Sequence, residues 1–272
     1  MEKEMKKEIN EYAERFLDRE SASAIKTALE TMEIEEIEKL FGQTNYVQYF
    51  KSNGERLKEL IFCLYQCGET LKKYRAAGIS DEIFYDTFLD IRRWSDFYRR
   101  ETGEIGIAEI DWFDYLFQMK IFNLGGLEFE VGVLGDTNGF HLPAGKVVKI
   151  HIPAGIALDE KNVEYSFEQG KNFIASRFPE YSESPVVCES WMLWTGLKDF
   201  LSESSHILAF QNRFHIVSEQ EKNSLVKFVF GKSDVNAELN GFECKTSLQN
   251  KLLAYKADGG KFKIGFGVLK NG

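Results

Sequence analysis

The chain has 272 residues, of which 43% are apolar, and a net charge of −9. This length and composition predict a substantial core in one large or two modest domains. The sequence contains no run of the roughly 18 apolar residues that span a membrane. Its charged N-terminus lacks the apolar centre of a signal peptide, and no long block of Lys and Arg is present. We therefore expect a cytoplasmic protein with no membrane and no nucleic-acid partner.

Residues 1–120 carry apolar side chains at spacings of three and four, the period of an amphipathic helix. One such stripe contains Phe84, Phe88 and Ile91. Ser80 precedes it and is followed by two acidic residues, which suit the positive end of a helix dipole. We predict a helical N-terminal domain over residues 1–120.

The pattern changes after residue 120, where strand-like alternation begins. LEFEVGV has the two-residue period of a strand, and KVVKIHIPAG, VEYSFEQGKNFIASRF and PVVCESWML follow as strand, helix and strand. We predict TGLKDFLSES and TSLQNKLLAYKADGG as helices, and HILAFQNRFHIV, SLVKFVFG and KFKIGFGVL as strands. The predicted fold class is α+β, with the helical domain packed on a mixed α/β C-terminal domain over residues 121–272.

Two titratable residues lie near the ends of neighbouring predicted strands. His151 shares a strand side with Lys149, and ligands of open sheets favour the C-terminal ends of strands. Glu189 interrupts an apolar strand, and a buried carboxylate without a partner is costly. We expect Glu189 to reach solvent, a cleft or a basic group such as Arg213. Both residues are candidates for catalysis, and the alternative for His151 is a polar side chain on a solvated strand face.

The cysteines and histidines show no spacing typical of metal ligands. Cys63 and Cys67 are four residues apart on a predicted helix, but no further Cys or His lies near them in sequence. Two buried thiols are favoured over a zinc site, and we predict no metal. Ser204, Ser205 and His206 lie at a predicted junction of helix and strand. Since neighbours on a strand point to opposite sides, a helix-ending turn is favoured over a nucleophile and base.

Several segments of the chain resemble those of a known family. They are LGGLEFEVG, HIPAG, CESWMLW, LSESSHILAFQNRF and TSLQNKLLAYKADGGKFKIGFGVL. With these segments the chain resembles a bacterial family of acyltransferase-domain-containing proteins. In that family a helical N-acyltransferase N-terminal domain precedes a GNAT-like (N-acetyltransferase-like) C-terminal domain. The likeness extends from about Leu60 onward and is most specific at HIP, SW and FQNRF.

The resemblance implies an acyl donor, acetyl-CoA or another acyl-CoA, bound where KVVKIHIPAG and VVCESWML diverge in a GNAT-like sheet. Unpaired strand amides and the amides at a helix N-terminus suit such an acceptor-rich ligand. We expect the donor to contact the segment that leaves the first of these strands. Its predicted donor-binding residues are Ile152, Ala154, Gly155 and Ile156.

The resemblance also suggests how the acceptor is activated. GNAT enzymes often use a tyrosine on the second of these helices, and TGLKDFLSES contains none. A carboxylate base is the usual other partner, so Glu189 or His151 would remove the acceptor proton. We expect Trp191, Gln211 and Arg213 to contact the acceptor, a small-molecule or peptide amine.

Two functions stay open from the sequence. The first is an acyl-CoA-dependent acyltransferase, in which an amine or hydroxyl attacks the thioester directly. The second is a non-catalytic GNAT-shaped binding or regulatory module. This alternative to the acyltransferase is supported by GIALDEKN, which has one glycine where GNAT enzymes have a glycine-rich pyrophosphate loop, and by the opposing charge of Asp159 and Glu160. A hydrolase with Cys188 or a serine as nucleophile is less supported, since no base is positioned by sequence.

Overall fold

A computed structural model describes residues 2–41, 45–239 and 241–270. The chain forms two compact units, one on each side of the bond between Asn123 and Leu124. Among the described residues, none of the helices combines the length and the apolar character needed to cross a bilayer.

The first unit is built from α-helices. Its helices are α1 (Glu2–Phe16), α2 (Arg19–Thr31), α3 (Ile34–Phe41), α4 (Tyr46–Asn53), α5 (Arg56–Ala76), α6 (Asp81–Phe88), α7 (Asp90–Thr102) and α8 (Ile110–Phe117). The predicted cap is confirmed, because the Ser80 side chain accepts a hydrogen bond from the Ile83 amide at the start of α6. Helix α7 ends at Gly103, whose φ of 78° lies in the left-handed region that glycine adopts without strain.

Helix α5 carries much of the core of the first unit. Both of its cysteines are buried, and Cys67 Sγ lies 3.3 Å from the Cys63 carbonyl oxygen. The rings of Phe84 and Phe88 stack with centroids 4.4 Å apart, and Tyr74 meets Phe84 edge-on at 5.4 Å. Aromatic pairs of this kind add to the free energy gained from burial alone. The helical stripe read from the sequence is therefore the buried side of these helices.

The second unit combines a sheet with helices. The strands of the sheet are β1 (Ile121–Leu124), whose first three residues belong to the first unit, β2 (Leu127–Leu134), β3 (Gly145–His151), β4 (Val186–Ser190), β5 (Phe214–Glu221) and β6 (Lys263–Leu269). The α-helices are α9 (Glu160–Arg177), α10 (His206–Gln211), α11 (Ser224–Phe230) and α12 (Ser247–Ala257). Short 3₁₀ helices are Pro179–Tyr181, Trp191–Leu193 and Thr195–Asp199.

The sheet is mixed, with the order β1-β2-β3-β4-β6-β5. Strand β3 pairs antiparallel with β2 and parallel with β4, while β6 pairs antiparallel with both β4 and β5. The parallel pair requires a crossover, which α9 supplies. A helical unit and a mixed α/β unit confirm the predicted α+β class.

Helix α9 packs closely on β2 through two small residues one turn apart. The Ser166 hydroxyl accepts a hydrogen bond from the Leu127 amide at 3.0 Å and donates one to the Leu124 carbonyl. A Cβ added to Gly170 would lie 2.2 Å from the Phe129 ring. Any side chain at position 170 would therefore push α9 away from the sheet.

A large apolar cluster contains side chains from the sheet, from α11 and α12, and from the 3₁₀ segments after β4. Val147, Val187 and Phe266 contribute to it from the strands, and Leu225 and Leu252 from the two helices. Trp191 and Trp194 belong to the same cluster. This cluster fixes the segment that follows β4, next to the ends of β3 and β4.

Two predicted strands were wrong. The first half of HILAFQNRFHIV forms α10, and β5 begins only at Phe214. SLVKFVFG forms α11 and stops at Gly231, where φ is 69°. Both runs are short and apolar, and periodicity alone does not separate a buried strand from a short helix in such a run. In TGLKDFLSES the helical part is the 3₁₀ helix Thr195–Asp199.

Strand β5 lies at one edge of the sheet. Its register against β6 shifts between Ile216 and Ser218, which marks a β-bulge. The Ser218 hydroxyl donates to the Gly139 carbonyl in the loop between β2 and β3. A Cβ on Gly139 would lie 2.4 Å from the Phe266 ring, so this loop lies directly on the sheet.

Candidate active site

The parallel strands β3 and β4 pair over a short length. In the described part of the chain their paired residues are Val148 with Val186 and Lys149 with Val187. Strand β3 continues to His151 and β4 to Ser190 without further pairing between these described segments. Because the C-terminal ends of parallel strands meet at one edge, the two ends border a gap there.

Glu130 of β2 forms the centre of a polar cluster beside this gap. Its Oε1 lies 2.7 Å from Lys149 Nζ, and its Oε2 lies 2.8 Å from His151 Nε2. The Glu130 side chain is only 7% exposed. Burial raises the pKa of this carboxyl, but the hydrogen bonds and charges of His151 and Lys149 outweigh that effect and hold the pKa below its usual range. Glu130 is therefore a carboxylate that accepts hydrogen bonds from both neighbours.

The strand register explains why these side chains meet. Glu130 is the cross-strand partner of Lys149, and Glu128 is the partner of His151. Residues two apart on a strand share a face, so all four side chains lie on the same side of the sheet. Glu128 is also buried. The alternation of LEFEVGV thus directs two carboxylates toward a lysine and a histidine.

Glu189 lies on the same face of the next strand. Lys149 of β3 pairs with Val187 of β4. Two residues further along each strand, Glu189 therefore lies opposite His151 across the gap. The Glu189 carboxylate is 42% exposed and lies 2.8 Å from Lys222 Nζ, which is 54% exposed. The expectation that Glu189 reaches solvent or a basic group is confirmed. Its cation is Lys222, however, and not Arg213.

A groove of about 530 Å³ lies beyond the ends of these strands, and we call it the α10 groove. It is lined by the loop after β3, by Met192 in the segment after β4, and by the residues around the start of α10. The lining residues are Ile156, Ala157, Leu158, Met192, Ser204, Ser205, His206 and Ile207. Of the predicted donor-binding residues, Ile156 lines the groove. Ile152, Ala154 and Gly155 form the turn that precedes it, with φ of 83° at Gly155.

The N-terminus of α9 follows this loop and is capped by an acid. The Asp159 side chain accepts a hydrogen bond from the Asn162 amide at 3.2 Å. This hydrogen bond holds the pKa of Asp159 below its usual range, and the electrostatic effect of His206 acts weakly in the same direction. A negative charge therefore sits where the helix dipole is most favourable to an anion.

Two family models together match nearly the whole chain. Residues 1–119 match the model described as the N-acyltransferase N-terminal domain. Residues 121–269, more than half of the chain, match the model described as the GNAT-like C-terminal domain. The chain belongs to the GNAT-like C-terminal domain family. This confirms the resemblance read from the sequence. No curated protein sequence matches the chain significantly.

Solved structures share the fold of this GNAT-like protein at low sequence identity. A crystal structure of an acyltransferase with decanoyl-CoA and teicoplanin has a TM-score of 0.82 and 18% identity, covering 97% of this chain and 88% of that one. A mutant acyltransferase with octanoyl-CoA has a TM-score of 0.81 and 18% identity, covering 98% and 88%. An acyltransferase with decanoyl-CoA alone has a TM-score of 0.69 and 20% identity, covering 79% of this chain and 66% of that one.

The predicted acceptor-binding residues are separated in the GNAT-like unit. Gln211 is not on a strand as predicted: it ends α10, is buried, and donates to the carbonyls of Met192 and Trp194 at 3.0 and 2.9 Å. Arg213 lies 2.6 Å from Glu164 of α9. Trp191 lies in the 3₁₀ segment after β4 and is largely buried. Their contact with an acceptor stays a prediction, and the structure gives Gln211 and Arg213 internal partners.

Cys188 of the GNAT-like unit is buried on β4. Burial raises the pKa of its thiol well above the ordinary range, which keeps the sulfur protonated and weakly nucleophilic. Among the described residues, His, Cys, Asp and Glu side chains form no group of three or more placed to hold a metal ion.

Sequence reasoning missed Glu130 and Lys222. The signal for Glu130 was available, since an acid in an alternating apolar strand raises the same burial problem that singled out Glu189. Lys222 was harder to find, because it lies 33 residues from Glu189 in sequence and is brought close by the pairing of β4, β6 and β5.

Proposed function

We propose that this protein is an acyl-CoA-dependent acyltransferase that uses His151, held by Glu130, as its general base. The observation that carries the proposal is the 2.8 Å contact between His151 Nε2 and Glu130 Oε2 at the edge where β3 and β4 part. An imidazole oriented by a buried carboxylate is a common arrangement for proton abstraction. The fold shared with acyltransferases solved with acyl-CoA supports the same assignment.

The reaction would be a direct transfer. The acceptor nitrogen or oxygen forms a bond to the thioester carbonyl carbon, the C–S bond breaks, and the CoA thiolate leaves and takes up a proton. His151 accepts the proton that the acceptor loses, and the Glu130 carboxylate stabilises the resulting imidazolium. Lys149 also forms an ion pair with Glu130 and helps to keep that carboxylate ionised. The roles proposed for Glu189 are to orient the acceptor or to pass its proton to solvent, together with Lys222.

The donor would enter from the α10 groove. Ile156, Leu158 and Met192 supply apolar surface that suits the pantetheine arm. The amides of the turn from Ile152 to Gly155 follow directly on β3, where we place the thioester oxygen. The acceptor class we propose is a small-molecule or peptide amine. One structure of the same fold contains teicoplanin, which fits this class.

A second function is favoured by one observation. Asp159 occupies the cap of α9 with an ionised carboxylate, at the helix end where a GNAT fold would bind the donor pyrophosphate. A non-catalytic module that binds a different ligand or a partner would explain this substitution. In that case CoA would not raise the melting temperature, and changes at His151 would leave the cellular role intact.

The test measures CoA release from acetyl-, octanoyl- and decanoyl-CoA with a panel of amine acceptors. We expect His151→Ala to lower kcat by about 10²- to 10⁴-fold, which is the usual contribution of a general base. Glu130→Gln should lower kcat less and displace the pH dependence, because the imidazolium loses its carboxylate. His215→Ala is the matched control, since His215 is an exposed histidine on β5 and should leave the rate unchanged.

Two results would contradict the proposal. Full activity of the His151→Ala variant would remove His151 from the chemistry. A wild-type protein whose melting temperature does not respond to millimolar acetyl-, octanoyl- or decanoyl-CoA would favour the non-catalytic module, because a ligand that binds the folded state must stabilise it.

A further inference from the structure

The segment Ser204–His206, for which the sequence favours a turn, leads into α10 and lines the α10 groove. Ser205 caps α10 by accepting from the Ile207 amide at 3.3 Å. Ser204 and His206 are exposed, on the same wall. The opposite wall, from Ile156 to Leu158, is the loop that leads into α9.

This wall faces a site that is poorly suited to an anion. At the N-terminus of α9, the Asp159 carboxylate accepts from the Asn162 amide and also contacts the Asn162 side chain. A phosphate placed there would meet a negative charge and would lose that amide donor. The loop before it contains one glycine, Gly155, which precedes the groove lining.

We infer that the phosphates of the acyl donor are held from the α10 side, by the His206 imidazole and the Ser204 hydroxyl, and not by the amides at the N-terminus of α9. This inference rests on the proposed acyltransferase function and assigns the donor-binding groups of that site. An imidazole has an N–H donor in either protonation state, and a serine hydroxyl donates as well. Hydrogen bonds to an ionised group are among the stronger ones in proteins.

His206 would act on the donor in two ways. It donates to the phosphate, and it also helps to lower the pKa of Asp159, so it counters the effect of that carboxylate on the ligand. Loss of His206 therefore removes a donor and leaves Asp159 to repel the ligand. A change in groove shape alone would not make the effect of His206→Ala depend on Asp159, so this dependence distinguishes the two explanations.

The experiment measures the Kd of CoA by calorimetry for wild type, His206→Ala, Asp159→Asn and the double variant. We expect His206→Ala to weaken CoA binding at least about tenfold. Asparagine still caps a helix, so Asp159→Asn should keep α9 intact and tighten binding about threefold. In the double variant, Asp159→Asn should restore at least about threefold of the loss. His215→Ala is again the control and should bind CoA as wild type does.

Each outcome bears on a different proposal. If wild type binds CoA and His206→Ala binds it equally well, the inference is wrong and the acyltransferase proposal stands. A loss in His206→Ala that Asp159→Asn does not relieve also overturns it, since the charge coupling is then absent. If wild type does not bind CoA, both proposals fail together. Far-UV circular dichroism and melting temperature confirm that each variant is folded.

Discussion

Glu59 of α5 predicts a pH-dependent stability in the helical unit. Its side chain is fully buried and lies 2.6 Å from Arg56 Nη1. Burial raises the pKa of this carboxyl from 4.5 to about 7, although Arg56 and the Ile110 amide oppose the change. Glu109 and the buried Cys63 are the other titratable groups close enough to interact with it.

The direction of this pH dependence follows from how tightly each state binds the Glu59 proton. The folded state holds the Glu59 proton more tightly than the unfolded state, so the free energy of unfolding falls as the pH rises from about 4.5 to about 7. Each pKa unit of difference between the folded and unfolded states corresponds to about 1.4 kcal/mol, so the free energy of unfolding falls by about 3 kcal/mol in total. Above pH 7 the carboxylate is ionised in both states and this contribution stays constant.

Glu59→Gln removes the titrating group and keeps the size of the side chain. We expect the variant to gain stability over wild type as the pH rises from 4.5 to 7, by up to about 3 kcal/mol. Urea unfolding of both proteins at several pH values measures this difference, and taking the difference cancels the titration of all other groups. Glu35→Gln is the matched control, because that carboxylate is 79% exposed and should show no such trend.

A stability difference between Glu59→Gln and wild type that does not change between pH 4.5 and 7 would refute the reasoning. So would a difference of opposite sign, in which the variant loses stability relative to wild type as the pH rises. The second result would mean that Arg56 outweighs burial and that Glu59 folds as a stable ion pair.

Two further substitutions test the packing of the GNAT-like unit. Gly265→Ala places a Cβ 2.3 Å from the Leu193 carbonyl oxygen. We expect the free energy of unfolding, measured in urea, to fall by about 1 to 3 kcal/mol. An unchanged midpoint would mean that the segment after β4 moves freely. Thr246→Ala removes a capping box at α12, in which the side chains of Thr246 and Gln249 each bond the other's backbone amide. We expect a loss of about 1 kcal/mol, measured in the same way, and Thr246→Ser should recover most of it; equal stability of all three proteins would contradict the role of the cap.

Local patterns were sufficient to predict much of the fold. The stripe from Phe84 to Ile91 and the alternation of LEFEVGV each specify a period, and a period determines which face is buried. HILAFQ carries no such information, because six apolar and polar residues fit either a strand or a helix. Its helical state depends on the local Ser205 cap and on the hydrogen bonds of Gln211 to the segment after β4, and these Gln211 bonds are set by tertiary structure.

The candidate site was predictable only in part for the same reason. His151 and Glu189 were found because each is polar at the end of a strand. Their partners, Glu130 and Lys222, follow from the register of β2 on β3 and from the order of the sheet. Register and strand order are long-range properties, and a single sequence without cross-strand information does not contain them in readable form.

The bulge in β5 affects how the protein behaves at high concentration. An edge strand exposes a row of unpaired amide and carbonyl groups, which another chain can use to extend the sheet into an aggregate. In β5 the shift between Ile216 and Ser218 breaks the regular spacing of that row. A second copy of the chain would meet an irregular, bent edge that its own strands cannot match, so the fold resists edge-to-edge aggregation.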